Sequence, residues 1–219
     1  MTKKQNKSTT LCPIPWMSQS VRSNGDLRVC CQAQHGPTNG ILKDKNNNPF
    51  NAGFSDLKEA RNSDLSKEIR RYMVDGKWHP ECKRCENEEA VGITSRKTYE
   101  NELWINDRNY TWDYLLEHTY NDGSINVDEI DCSFYDVRFG NLCNLKCRMC
   151  GPGDSSNWYD DHAKLWGPKF RDSHGEVELV KNTKGKYAPK VDVYNWHTSD
   201  SYWTQMDLNI HEIRKLYIV

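Results

Sequence analysis

The chain has 219 residues, 36% of them hydrophobic and 28% charged, with a mean hydropathy of -0.92. Ordinary globular domains carry roughly 45–50% apolar residues, glycine included, so the core is thin for a length that allows one or two domains. A net charge of -1 removes the field that a nucleic-acid or acidic-membrane partner would use, and no apolar run nears the roughly 20 residues of a membrane span. Residues 1–10 are polar with three lysines, neither a signal peptide nor an anchor, so a frayed tail and a cytoplasmic location are expected.

In chain order, residues 16–21 and 27–31 are short strand-like runs around Ser23-Asn24-Gly25-Asp26, and Asn-Gly between them predicts a β-hairpin. Residues 32–53, rich in Asn, Gly, Pro and Lys, read as a loop. Leu65, Ile69, Tyr72 and Met73 recur at helical spacing, with Ser63 as N-cap and Gly76 as stop. Residues 86–110 give no clear pattern. A helix is predicted over 112–117, a strand over 130–139 and a helix over 158–165. Residues 167–199 show no periodicity and read as an insertion. Residues 213–219 (Ile-Arg-Lys-Leu-Tyr-Ile-Val) predict a strand buried on both faces, which requires a sheet that continues beside it. Because chains seldom end on such a strand, a truncated reading frame is expected.

Nine cysteines stand at 12, 30, 31, 82, 85, 132, 143, 147 and 150. Their odd number and the missing secretion signal argue against a disulfide framework and for metal ligands or redox groups. Cys143, Cys147 and Cys150 have the spacing C-x3-C-x2-C on the segment after the strand at 130–139. Structural zinc wants a fourth ligand close by, and Cys132 is eleven residues away. Three thiolates on an iron–sulfur cube leave one iron without a protein ligand.

This triad resembles the signature of the radical S-adenosylmethionine (SAM) superfamily. The resemblance implies that Cys143, Cys147 and Cys150 hold a catalytic 4Fe–4S cluster whose open iron binds SAM. One electron then cleaves SAM reductively and starts hydrogen abstraction from substrate. It also implies an electron donor such as flavodoxin or ferredoxin. The family usually places an aromatic residue before the third cysteine, near the adenine. Here the residue is Met149, which can fill the same apolar space and is a cofactor-binding candidate.

Cys12, then Gly25 with four residues between it and Cys30, then Cys82 and Cys85 as C-x2-C resemble the twitch domain, the shorter relative of the SPASM domain. The resemblance spans residues 11 to about 90 and implies that Cys12, Cys30, Cys82 and Cys85 hold an auxiliary 4Fe–4S cluster. On residues alone, a hairpin brings two thiols together at its open end and a helix delivers two more. Such a site also suits four-cysteine zinc, since sulfur ligands serve both metals. Cys31 competes with Cys30, but neighbours on a strand point to opposite faces, so one of the two binds. In most relatives the auxiliary module follows the barrel; here it precedes it.

The expected fold is α/β, mixed α+β overall: a small cysteine-rich β-hairpin-plus-helix domain, then the first part of a partial (β/α)6 TIM-like barrel. The expected divisions are a tail at 1–10, a twitch-like domain at 11–92, a helical linker at 93–129 and the barrel start at 130–219. A six-unit barrel needs roughly 190 residues at the usual size per unit, so the Gly-Gly-Glu-Pro-like segment that touches SAM in the family would lie beyond Val219. A radical SAM enzyme of this kind implies peptide or protein modification, or a small-molecule substrate. A non-catalytic electron carrier and a zinc-stapled interaction module are the alternatives. Trp104, Trp112, Trp158, Trp166, Trp196 and Trp203 read as packing residues, His79 and His162 as bystanders, residues 86–89 as a solvated acidic face, and Cys132 as a buried core thiol.

Overall fold

The computed structural model describes residues 9–33, 39–107, 111–173 and 175–218. The first eight residues of the expected tail lie outside them. Thr10 is buried and its hydroxyl donates to the Met73 carbonyl at 3.0 Å.

The fold is mixed α/β, built on a mixed four-stranded sheet. Pro13 and Pro15 set a single helical turn, α1 (Ile14–Met17), in which the N–H groups of Trp16 and Met17 reach the Pro13 carbonyl. Proline suits this position because its fixed φ and missing N–H cost nothing in a first turn. The strand expected from residue 16 therefore starts later, as β1 (Ser18–Val21). Its hairpin partner β2 is only Leu27–Arg28, not 27–31. The turn between them forms as predicted: Gly25 has φ +86°, and Arg22 N–H donates to Asp26 O at 2.9 Å.

After the loop come α2 (Leu57–Ala60) and α3 (Asp64–Val74). Ser63 caps α3 by accepting the Ser66 N–H, and Gly76 ends it at φ +74°. Residues 86–110, unpatterned in sequence, contribute to α4 (Lys83–Ala90), α5 (Arg96–Asn101) and a wider π-type stretch at Glu102–Asp107. The acidic run is not merely solvated, since Glu89 pairs with Lys97 at 3.0 Å. The expected helix α6 (Trp112–Glu117) follows, capped by Thr111.

The strand expected over 130–139 is β3 (Phe134–Val137). It is the spine of the sheet, whose order is β2-β1-β3 and then β7 (Lys215–Ile218). β3 runs parallel to β1, with Ser18 opposite Phe134, and parallel to β7, with Lys215 opposite Phe134. Parallel neighbours need long crossovers. The crossover from β3 to β7 carries α7 (Tyr159–Trp166), a second sheet of β4 (Lys169–Asp172), β5 (Gly175–Lys181) and β6 (Tyr187–Pro189), and then α8 (Asp200–Asn209). The supposed insertion is thus a three-stranded antiparallel sheet.

Side chains alternate across the main sheet. Phe134 and Tyr217 meet edge to face at 5.4 Å, and Arg96 of α5 lies over both rings. On α2 and α8, Leu57 O accepts from Gln19 of β1 and Leu57 N–H donates to Gln205. β3 is buried throughout, but β7 is not: Leu216, Tyr217 and Ile218 are exposed. The expectation of a terminal strand buried on both faces is corrected. Trp104, Trp112 and Trp196 are core residues as expected, whereas Trp166 and Trp203 are exposed and Trp158 is half-buried.

One core joins the cysteine-rich N-terminal segment to the sheet, with Trp16, Ile69, Leu115, Phe134 and Tyr202 in the same cluster. Two buried arginines supplement this thin apolar core. Arg70, with no exposed surface, donates to Pro15 O at 2.7 and 3.0 Å and to Gly123 O at 2.9 Å. Arg61 donates to Trp16 O at 2.7 Å and Ile130 O at 2.6 Å. These carbonyls lie in turns and loops without a ladder, and buried backbone acceptors need a donor.

Candidate functional site

The chain reaches Cys12 before β1 and Cys30 after the antiparallel β2. Both therefore lie toward the N-terminal end of β1. Residues 80–82 form a 3-10 turn, held by His79 Nδ1 accepting the Glu81 N–H at 3.1 Å, and lead into α4. His79 thus has a capping role. This arrangement brings Cys82 and Cys85 to the same place. Cys12, Cys30, Cys82 and Cys85 line one small cavity of about 30 Å³, walled by Ile69, Met73 and Trp78. Cys31 and Cys132 do not line it.

Three of the four sulfurs accept backbone N–H groups: Cys12 from Ile14, Cys30 from Gln32 at 3.3 Å, and Cys85 from Lys97. Ser95 adds its hydroxyl to Cys85. Without a positive ion between them these thiols hold their protons. Burial pushes Cys82 up to about 12, and raises Cys12 and Cys85 as well, with the neighbouring cysteines and carboxylates adding to it. Cys30 donates to Cys31 and is raised well above the ordinary thiol range. Cys31 accepts that bond, lies near Arg96 and is lowered. Arg96 and Lys97 are the two cations in the cavity wall.

The donor set fits a four-thiolate centre. The four thiols come to one cavity wall from distant positions, N–H donors already point at three of them, and Arg96 stands in the same wall. Burying ionised thiols without such partners would be prohibitive.

The second group lies at the opposite end of the sheet, on the loop that leaves the C-terminal end of β3. Gly140 starts the loop at φ +75°, and a Cβ there would lie 2.7 Å from Tyr194 O, so only glycine fits. Residues 155–158 then brace the cysteine segment. Ser155 Oγ donates to Leu145 O at 2.7 Å, Asn157 Nδ2 to Cys143 O at 2.9 Å and Trp158 Nε1 to Cys147 O at 3.3 Å. Asn141 Nδ2 reaches Pro152 O at 2.9 Å and the Tyr159 hydroxyl at 2.5 Å. The loop is thus fixed by its backbone while its thiols stay accessible: Cys147 is exposed, Cys143 and Cys150 half-exposed.

Cys150 is raised by desolvation, by Asp154 and by the Cys147 and Cys143 sulfurs. Met149 is 96% exposed and Leu142 86%, so Met149 stands in solvent with open space around it. The accessible triad fits a cluster that keeps one position for a ligand from solution. Among the described residues, no three His, Cys, Asp or Glu side chains stand together closely enough to hold a single metal ion. Cys132 is the buried core thiol expected, raised by burial and bonded to Tyr135.

Sequence reading missed the polar cluster beneath the triad loop. Asp172 accepts the Tyr194 hydroxyl at 2.7 Å and the Ser173 N–H at 2.7 Å, while Ser23 Oγ holds Gly153 O at 2.7 Å. The signal available was Asp172 at the end of an alternating run, but its partners come from two other segments. No match to this chain is found among family models, curated proteins or solved structures.

Proposed function

We propose that the chain carries two iron–sulfur sites and belongs to a radical SAM enzyme, with Cys143, Cys147 and Cys150 as the catalytic ligands and Cys12, Cys30, Cys82 and Cys85 as the auxiliary ones. The observation that carries this reading is the braced triad loop at the C-terminal end of the central parallel strand. Ligands of open α/β sheets bind outside that end, and catalytic groups of parallel barrels sit there too. The β-α connection at β3 is, in this reading, the first unit of a partial (β/α)6 barrel.

When bound at the triad, a 4Fe–4S cluster supplies the single electron that cleaves SAM. The chain's own part is to hold that reaction in place. Ser155, Asn157 and Trp158 fix the backbone carbonyls of the cysteine loop, so the three sulfurs keep their spacing. Exposed Leu142, Leu145 and Met149 give the rim an apolar surface for adenine or for a peptide or protein substrate. A flavodoxin- or ferredoxin-type donor and a cytoplasmic setting complete the proposal.

The test is anaerobic reconstitution with iron and sulfide. Two cubes correspond to about eight irons. Cys147→Ala should remove one cluster and Cys82→Ala the other. The reduced holoprotein, carried on a chain with a complete barrel, should release 5′-deoxyadenosine and methionine from SAM, and Cys150→Ala should not. A colourless protein that binds zinc, or reduced protein that leaves SAM intact, overturns the enzyme reading.

A further inference from the structure

The cavity wall contains a donor with nothing to bind. Arg96 Nε is buried and has no hydrogen-bond partner, and the residue shares the cavity wall with Cys30 and Cys85. A buried unpaired donor calls for an explanation. Its neighbours do not provide one. Arg96 Nη2 is paired with Glu100 at 2.7 Å, and that same carboxylate oxygen takes Lys215 at 2.8 Å. Phe134 and Tyr217 fill the guanidinium's face at 5.6 and 5.5 Å. The other cation in the wall is committed elsewhere: Lys97 binds Thr9 O at 2.5 Å and Glu89 at 3.0 Å.

We propose that Arg96 is an electrostatic positioning residue of the four-cysteine centre, and that its guanidinium makes that centre reducible by one electron rather than a passive staple. The inference rests on the iron–sulfur reading of that site. Four thiolates already make the cavity strongly negative, and reduction adds one electron taken from a low-potential donor, dithionite in the test. The added charge is opposed by whatever positive charge lies nearest, and hydrogen bonds to the sulfurs and net charge set cluster potentials. Glu100 works the other way. It draws Arg96 toward the sheet and offsets its charge, so the Arg96–Glu100 pair is a built-in adjustment of the centre.

The experiment uses the full chain with Cys147→Ala, which empties the triad, reconstituted anaerobically with iron and sulfide. Iron content and the midpoint potential are read together, the latter by dithionite titration followed by electron paramagnetic resonance. Arg96→Gln should keep about four irons and shift the midpoint negative by about 59 mV, a tenfold weaker uptake of one electron. Arg96→Lys should restore most of the shift. Glu100→Gln, which removes the charge and keeps one acceptor oxygen for either Lys215 or Trp104, should shift the midpoint positive. A structural role gives no such opposite signs. Equal midpoints in iron-loaded variants overturn the role of Arg96 alone, as does loss of iron in Arg96→Gln. Absence of iron in the parent Cys147→Ala protein overturns the iron–sulfur reading, and this inference with it.

Discussion

The hydroxyl of Tyr194 donates to the carboxylate of Asp172 at 2.7 Å, and Gly153 of the cysteine loop lies against both groups. Asp172 is 5% exposed, so the bond is made away from water. Tyr194→Phe leaves that carboxylate oxygen without its donor, a loss of about 1–3 kcal/mol. The expected outcome is a lower urea midpoint, together with less iron at the triad and unchanged iron at the four-cysteine centre. Equal loss at both centres would mean that the pair supports the whole fold rather than the loop.

Gly140→Ala should be worse than its size suggests. The left-handed conformation costs a residue with a Cβ roughly 1–2 kcal/mol, and the contact with Tyr194 O must also be relieved. Denaturant unfolding and the iron content of the triad should both report it. Gly92→Ala, at φ +77° with open space around it, is the control that pays only for conformation.

Arg70→Ala leaves Pro15 O and Gly123 O buried without their donor and should cost about 1–3 kcal/mol for each. Against a total stability of roughly 5–15 kcal/mol, soluble expression at 37 °C should fall sharply. Arg71→Ala, one residue on and exposed, should stay within about 0.5 kcal/mol.

Alkali should destabilise the protein. Burial pushes Tyr159 and Tyr202 from the ordinary 10 up to about 12, and raises Tyr135 and Tyr194 further, with Cys132 and Asp172 respectively adding to it. Each folded tyrosine keeps a proton that its unfolded form releases, so stability is intact below about pH 10 and falls as pH rises above it. Urea midpoints at pH 8 and pH 11 measure this, and tyrosinate absorbance should jump on unfolding at the higher pH. A flat profile would show that these rings are solvated.

In metal-free protein, alkylation by iodoacetamide should label Cys147 first and leave Cys12, Cys85 and Cys132, which are buried, until the chain unfolds. Mass spectrometry of timed samples reads the order. Early labelling of Cys12 would show that the cavity opens without denaturant.

Signals confined to a few neighbouring residues were legible in the sequence. Ser63 and Gly76 bracket α3 because a cap and a positive-φ stop act locally. The four cavity cysteines were singled out by their likeness to the twitch pattern, and the hairpin turn and helix stop beside them are local signals too. The second sheet was also written in the sequence, in the alternation of Val177 and Leu179 and a turn at Gly185. Charged pairs such as Lys169–Glu176 and Lys190–Glu178 on its exposed side obscured it. Buried Arg61 and Arg70 were not legible. Their burial depends on carbonyls at 15, 123 and 130, which meet only after folding, and an arginine reads as surface until its acceptors are known. Arg96 is the same case, since its cavity side is defined by cysteines far away in sequence.

The residues that line the four-cysteine cavity all fall between Cys12 and Lys97, whereas β1 must wait for Phe134 before its second edge is paired. During synthesis from the N-terminus, the cavity can close while β3 and β7 are still inside the ribosome. Its thiols are therefore available for metal loading well before the triad exists. Until then β1 presents an unpaired edge, the kind of surface on which nascent chains aggregate. Early occupation of the cavity would hold the half-built chain in register for the strands to come, so iron starvation should reveal itself first as insoluble protein rather than as soluble apoprotein.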